Sequence, residues 1–209
     1  MKHWEIPTGL NSQSICYSAG VGEDISFDLD LIKKHGLTVH GFDPTDASAA
    51  YVEQLRKRKT ALLAHYVFHK YGLWSADKAV KFHVSLASSA STTICRDLAT
   101  RSKTAVLPCR RLCSVMRDLG HKKLDLLKLD VEGAEFAILK SLLDDKLFIR
   151  VILVEFHGTK GRHYRAQLGE KYAFMREAAL SDLKAGGYVI LKLVASKGRR
   201  PCYASLMRS

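Results

Sequence analysis

The chain has 209 residues, 47% hydrophobic and 26% charged, with a formal net charge of +12. That length suits one folding unit with a sizeable core, and these proportions exclude a disordered or fibrous chain. No apolar run nears the roughly 20 residues of a membrane-spanning helix, and the opening MKHWEIPTG lacks the apolar core of a secretory leader.

A cytoplasmic location is therefore expected, with a single domain over residues 1–209 behind a short lead-in at 1–13. The cysteines at 16, 95, 109, 113 and 202 are odd in number and scattered, as reduced thiols are. Cys109 and Cys113 are four apart and could face each other on a helix, but no second ligand pair completes a zinc site. The positive charge is uneven: residues 51–123 hold 15 basic and 4 acidic groups, and residues 171–209 hold 8 and 2. Such a surface attracts anionic partners such as nucleic acid, or is simply solvated; nothing in it reads bases.

Residues 14–18 (SICYS) are β-prone and lead through Gly20-Val21-Gly22 into a helical pattern that ends at Gly36. Glycines let the backbone turn sharply beside a ligand, with a helix amino end behind it. The third glycine of a dinucleotide fingerprint is replaced by Ile25. Residues 38–42 (TVHGF) form a second strand ending at Asp43-Pro44, and an acid there is placed to bind ribose hydroxyls or merely to start the helix 46–57. A third apolar run, 61–68, gives way to the loop HKYGLWSAD. Residues 79–84 read as a short extra strand, and SLASSASTT (85–93) as a surface loop or a lid. Val106-Leu107-Pro108 leads into a helix at 111–119, before Gly120.

Residues 124–135, LDLLKLDVEGAE, read as an apolar strand running into a helix at 132–143. Lys128 and Asp130 share a strand face, where burial disfavours charge. Glu132 and Glu135, three apart, fall on the first helical turn. Charges thus gather at the carboxyl end of a strand, where open α/β sheets bind ligands. Strand 150–156 (RVILVEF) ends with Glu155 and His157 on one face, and helix 171–185 follows. Strands 188–195 and 200–207, joined by SKGRR (196–200), complete the chain. Alternating strands and helices make a doubly wound α/β sandwich, with the last pair an antiparallel hairpin at one edge.

YSAGVGED (17–24), GFDPT (41–45), YGLWSAD (71–77), LLKLDVEGAE (126–135) and VEFHG (154–158) together resemble the FkbM-type family of S-adenosylmethionine-dependent methyltransferases. The resemblance runs from about residue 14 to residue 195. It implies a Rossmann-like class I methyltransferase fold: seven strands, mostly parallel, in a three-layer sandwich. It also implies S-adenosyl-L-methionine as cofactor and O-methylation of a small molecule, sugar or lipid-linked acceptor. Position by position, it implies that Ser18, Gly20 and Gly22 bind the cofactor, the glycines against its methionine part. Asp43 would hold the ribose, Leu73 and Trp74 would flank the adenine, and Asp130 would lie near the amine or the reacting centre.

A hydroxyl acceptor must lose a proton to a base or to a metal. His157, at a strand's carboxyl end, is the leading base, against a structural histidine; Glu155 would orient it or act itself. Lys128 would pair with Asp130 or Glu155 and keep them ionised. Asp130, Glu132, Glu155 and His157 also make a donor set for Mg²⁺ or a transition ion. Glu132 has a plain place at the helix amino end, and Glu135 reads as structural. Two other functions compete. A nucleic-acid base methyltransferase of this fold carries an Asn/Asp-Pro-Pro-aromatic motif where this chain has Asp130-Val131-Glu132-Gly133. A catalytically idle cofactor-fold module would bind a partner through its basic surface. No residue speaks to the acceptor's identity or the oligomeric state.

Overall fold

The computed structural model describes residues 4–58, 61–85, 92–93, 102–157, 166–194 and 202–208. The first half runs β1 (Ile15–Ala19), α1 (Ser26–His35), β2 (Thr38–Phe42), α2 (Asp46–Lys57), a 3-10 turn (Ala61–His65) and β3 (Tyr66–His69). Four strands and a helix follow: β4 (Gly72–Trp74), β5 (Lys78–Ser85), β6 (Thr92–Thr93), β7 (Ser102–Arg111) and α3 (Leu112–Asp118). The rest is β8 (Leu124–Leu129), α4 (Glu135–Asp144), β9 (Ile149–Phe156), α5 (Ala166–Ala185), β10 (Tyr188–Val194) and β11 (Cys202–Arg208).

Seven of these strands make one sheet in the order β3-β2-β1-β8-β9-β11-β10. All are parallel except β11, which runs antiparallel to both of its neighbours. Alternation sends successive side chains to opposite faces. Cys16, Val39, Leu126, Val151 and Leu153 pack with Leu31 and Ile32 of α1 and Val52 of α2. Tyr17, Leu127, Leu129 and Ile152 pack with Val115 of α3, Ile138 and Leu142 of α4, and Leu180 and Leu183 of α5. These two cores, one on each face, make the three layers, and they explain why β8 and β9 read as continuous apolar runs. The strand order reverses between β1 and β8, the point at which an open α/β sheet leaves a crevice above its strand ends.

Several boundaries differ from the sequence expectation for physical reasons. α4 begins at Glu135 rather than 132, because Glu132 (φ 47°) and Gly133 (φ 105°) turn left-handed and cannot continue a helix. The run 61–68 divides into the 3-10 turn and β3. The closing hairpin lies at an edge, but its reversed strand β11 is inserted between β9 and β10, leaving β10 outermost. A second sheet, β4-β7-β5-β6, was not anticipated: residues expected only to lead into a helix form the ten-residue strand β7, antiparallel to β5. Cys109 therefore stands on β7 and Cys113 on α3, on different elements. Residues 86–91 of the expected lid, Cys95, Gly158 and the turn 196–200 lie outside the described residues.

Candidate active site

The turn after β1 is built by close packing. Gly20 donates its N–H to Phe42 O at 3.0 Å, and Asp130 donates to Ala19 O at 3.0 Å. A Cβ on Gly20 would stand 1.7 Å from the Asp130 carbonyl oxygen, and its φ of +84° already requires glycine. Asp43 braces the same turn from β2. Its Oδ2 accepts from the N–H groups of Val21 and Gly22, each at 3.1 Å. Its Oδ1 accepts from Thr45 N at 2.9 Å and Thr45 Oγ1 at 2.6 Å. Four bonds occupy a carboxylate's usual lone-pair sites. The acid expected to hold a ribose is thus fully engaged in shaping the glycine turn.

Above the β1–β8 switch point lies a cavity of about 320 Å³, at the lower end for a cofactor or small-ligand site. Gly20, Gly22, Asp43, Leu73, Lys128, Asp130 and Glu132 line it, as the sequence led one to expect, and so do Phe42, Pro44 and Phe82. Two expected contacts fall elsewhere. Trp74 follows Leu73 on β4 and packs half-buried against the main core, to which Leu73 also belongs, but only Leu73 lines the cavity. Ser18 is buried in β1 opposite Lys128, with its hydroxyl directed to Asp28 rather than to the cavity. Phe82, on β5 of the second sheet, carried no signal in the sequence because that sheet was not legible.

The charge lining the cavity is lopsided. Glu23, Asp24, Asp43, Asp130 and Glu132 are acidic, and Lys128 is the only basic residue among the described residues that line it. Lys128 Nζ stands 3.5 Å from Asp130 Oδ2 and 6.0 Å from the centre of the Phe27 ring. This pattern repels a polyphosphate cofactor. It complements a ligand with two positive centres and one carboxylate, and S-adenosylmethionine has that charge pattern: a sulfonium, an ammonium and a carboxylate.

His157 stands behind the acidic wall, 4% exposed. Its Nδ1 meets Glu135 Oε1 at 2.5 Å. Glu135, fully buried at the start of α4, is itself held by the Gly133 N–H at 2.9 and 3.2 Å. The other ring nitrogen, Nε2, faces Glu132 at 3.4 Å, Glu155 at 3.5 Å and Asp130 at 3.7 Å. Burial pushes the imidazole pKa down, but the Glu135 carboxylate, then Glu132 and Asp130, more than offset this and raise it to about 9. An imidazole so surrounded carries its proton at neutral pH and cannot take another, which argues against His157 as the resting general base. Its orienting partner is Glu135, not Glu155; Glu155 sits on the Nε2 side, bonded to the Tyr203 hydroxyl. The sequence reads Glu135 only as structural, because its partner His157 lies 22 residues on, just past the end of β9.

Comparison with known proteins gives the same architecture. Residues 11–189 match the model of the methyltransferase FkbM domain. The human "Probable methyltransferase-like protein 24" is 27% identical over 150 residues, covering 70% of this chain and 33% of that protein. Its rat counterpart is 28% identical over 144 residues, 68% of this chain and 32% of that protein. The chain thus spans about a third of the length of these curated relatives. Among solved structures, the methyltransferase FkbM from Methylobacillus flagellatus superposes with a TM-score of 0.56 at 12% identity, over 96% of this chain and 45% of that one. Magnesium protoporphyrin IX methyltransferase from Synechocystis, with bound S-adenosylhomocysteine, gives 0.51 at 13% identity, over 95% and 75%. At such identities the likeness is one of fold.

Proposed function

Because this chain belongs to the FkbM methyltransferase family, we propose that it moves a methyl group from S-adenosyl-L-methionine to a hydroxyl of a small molecule, a sugar or a lipid-linked acceptor. The observation that carries this reading is the charge pattern of the cavity, five carboxylates against one ammonium among the described residues. Lys128 would pair with the cofactor's carboxylate, and the close backbone of the Gly20–Gly22 turn, whose N–H groups are taken by Phe42 O and Asp43, would border its methionine part. Leu73, Phe42, Pro44 and Phe82 supply the apolar faces for the adenine. Asp43 acts through the turn that it braces. When bound, the cofactor supplies an electrophilic methyl on a sulfonium, so the protein's main task is alignment.

The acceptor's proton leaves toward the acidic end of the cavity. Asp130 and Glu132 both line the cavity and face His157 Nε2, and Asp130, at the end of β8 beside Lys128, is the one assigned to accept the proton. With Glu135 fixing Nδ1, the imidazolium at Nε2 steadies the charge on Asp130. The same acidity disfavours a polyanionic acceptor entering there.

Calorimetric titration with S-adenosylhomocysteine tests the cofactor half. The wild-type chain should bind it, and Lys128→Met should weaken binding by about tenfold, the worth of one charge-assisted hydrogen bond. A wild-type chain that takes up none would sink the proposal. The acceptor half is read by labelled methyl transfer to sugars, lipid-linked sugars and small alcohols: product label should survive alkali, as an ether does and an ester does not.

A further inference from the structure

The carboxyl ends of β8 and β9 bring Asp130, Glu155 and His157 together so that one ligand atom from each lies within 4.8 Å of the others. We propose that these three side chains bind a divalent transition-metal ion, Mn²⁺ or Zn²⁺ in class, with a coordination position left open toward the cofactor cavity.

Three observations meet here. The first is spacing. His157 Nε2 stands 3.5 Å from Glu155 and 3.7 Å from Asp130, beyond good hydrogen-bond distance. Two ligands about 2.1 Å from a tetrahedral ion are about 3.4 Å apart, so these gaps are the right width for an ion between them. The second is the support behind the ring. A histidine ligand commonly gives its other N–H to a carboxylate, which fixes the tautomer and leaves the lone pair on the metal side. Glu135 occupies that place, with no exposed surface of its own and an anchor on the Gly133 N–H, so an entering ion need displace only the Nε2 proton. A fully buried carboxylate is rare unless something requires it, and here it aims Nε2 at the other ligands. The third is charge. Asp130, Glu132, Glu135 and Glu155 gather around one imidazole, a set of anionic oxygens that favours a cation among them.

An imidazole nitrogen with two carboxylates selects Mn²⁺, Fe²⁺ or Zn²⁺ over Mg²⁺ and Ca²⁺, which prefer oxygen throughout. The inference rests on and deepens the methyl-transfer reading: an ion here would lower the pKa of the acceptor hydroxyl, in place of proton acceptance by Asp130, which would serve as a ligand.

The test uses the tag-free full chain, stripped with chelator and titrated calorimetrically with Mn²⁺, Zn²⁺ and Mg²⁺, then with Co²⁺ followed by visible absorption. One equivalent of Mn²⁺ or Zn²⁺ should bind more tightly than Mg²⁺, and Co²⁺ should develop a d–d band. Glu155→Gln and His157→Ala should each remove that binding, and Glu135→Gln should weaken it about ten- to a hundredfold. Thermal melting identifies any variant that fails to fold, and the isosteric Glu155→Gln decides the matter if His157→Ala does. No transition-metal binding, or binding indifferent to Glu155→Gln, overturns the site. S-adenosylhomocysteine titrated into the same stripped sample separates the two readings: its binding without metal binding defeats only the metal site, and the reverse defeats only the methyl-transfer reading.

Discussion

Asp28 lies inside α1 at 3% exposure, with its strongest compensating charge, Lys128, across the layer on β8. Ser18 and Tyr66 direct their hydroxyls at it, yet Ser18 Oγ, Asp28 Oδ1 and the Tyr66 hydroxyl complete no hydrogen bond of good geometry. Burial therefore dominates and raises the carboxyl from 3.8 to about 6, with Lys128 pulling the other way. A folded pKa above the unfolded one means that the native state holds the proton more tightly. Asp28's contribution is best below about pH 4 and declines as pH rises through 6, leaving a cost on the order of 3 kcal/mol at neutrality. Asp28→Asn should accordingly resist urea better than wild type at about pH 7.5, with the gap closing near pH 4. A gap that does not change with pH would remove burial of the charge as its cause. Lys128 thus serves two acids, Asp28 beneath the sheet end and Asp130 in the cavity, which is why a lysine is tolerated in so apolar a strand.

At the scale of elements, the decisive arrangement is β11 between β9 and β10. Ala204, fully buried, is paired with Val154 on one side and Leu193 on the other. Proline there removes a ladder donor and puts its ring where a neighbouring strand must lie, a cost of about 3 kcal/mol or more. Ala204→Pro should lose cooperative thermal unfolding; a variant that melts like wild type would mean that β11 is an edge strand after all. The strand also carries function, since Tyr203 on it bonds Glu155 beside His157. α1 needs less support. Its last turn carries Lys33, Lys34 and His35 against the negative helix end, and Gly36 closes it at φ 67° with its N–H on Ile32 O.

Across the whole molecule, the β1–β3 side of the sheet carries a second histidine group. His40 Nδ1 and His69 Nε2 are 3.1 Å apart, and the Tyr17 hydroxyl meets His121 Nδ1 at 2.7 Å. Burial, then the neighbouring His69 and His121, pushes His40 down to about 4, and burial lowers His69 and His121 as well. These rings fold neutral, so their contribution is complete above the unfolded value of about 6.5 and is lost as pH falls toward 4. The sign is opposite to that of Asp28 over the same window. Melting temperatures taken from about pH 7 to pH 4.5 should therefore fall less steeply in His40→Gln than in wild type; superimposable profiles would refute the assignment.

LDLLKLDVEGAE and the Gly20–Gly22 turn declared themselves in the chain because their signals are local: an apolar run with charges that burial forbids, and glycines where a strand meets a helix. That was enough for the layer architecture, for the parallel core of the sheet and for seven of the residues that line the cavity. Residues far apart in sequence were decided only by tertiary packing. Which neighbour β11 takes, that residues 102–111 pair with β5, that Trp74 turns to the core while Phe82 reaches the cavity, and that Glu135 rather than Glu155 holds His157 all depend on strand pairing and register. Pairing energies belong to two segments at once, and neither segment carries them in its own periodicity. Local pattern placed the charges at one sheet edge, and the fold alone chose which carboxylate stands behind the ring and which stand in front.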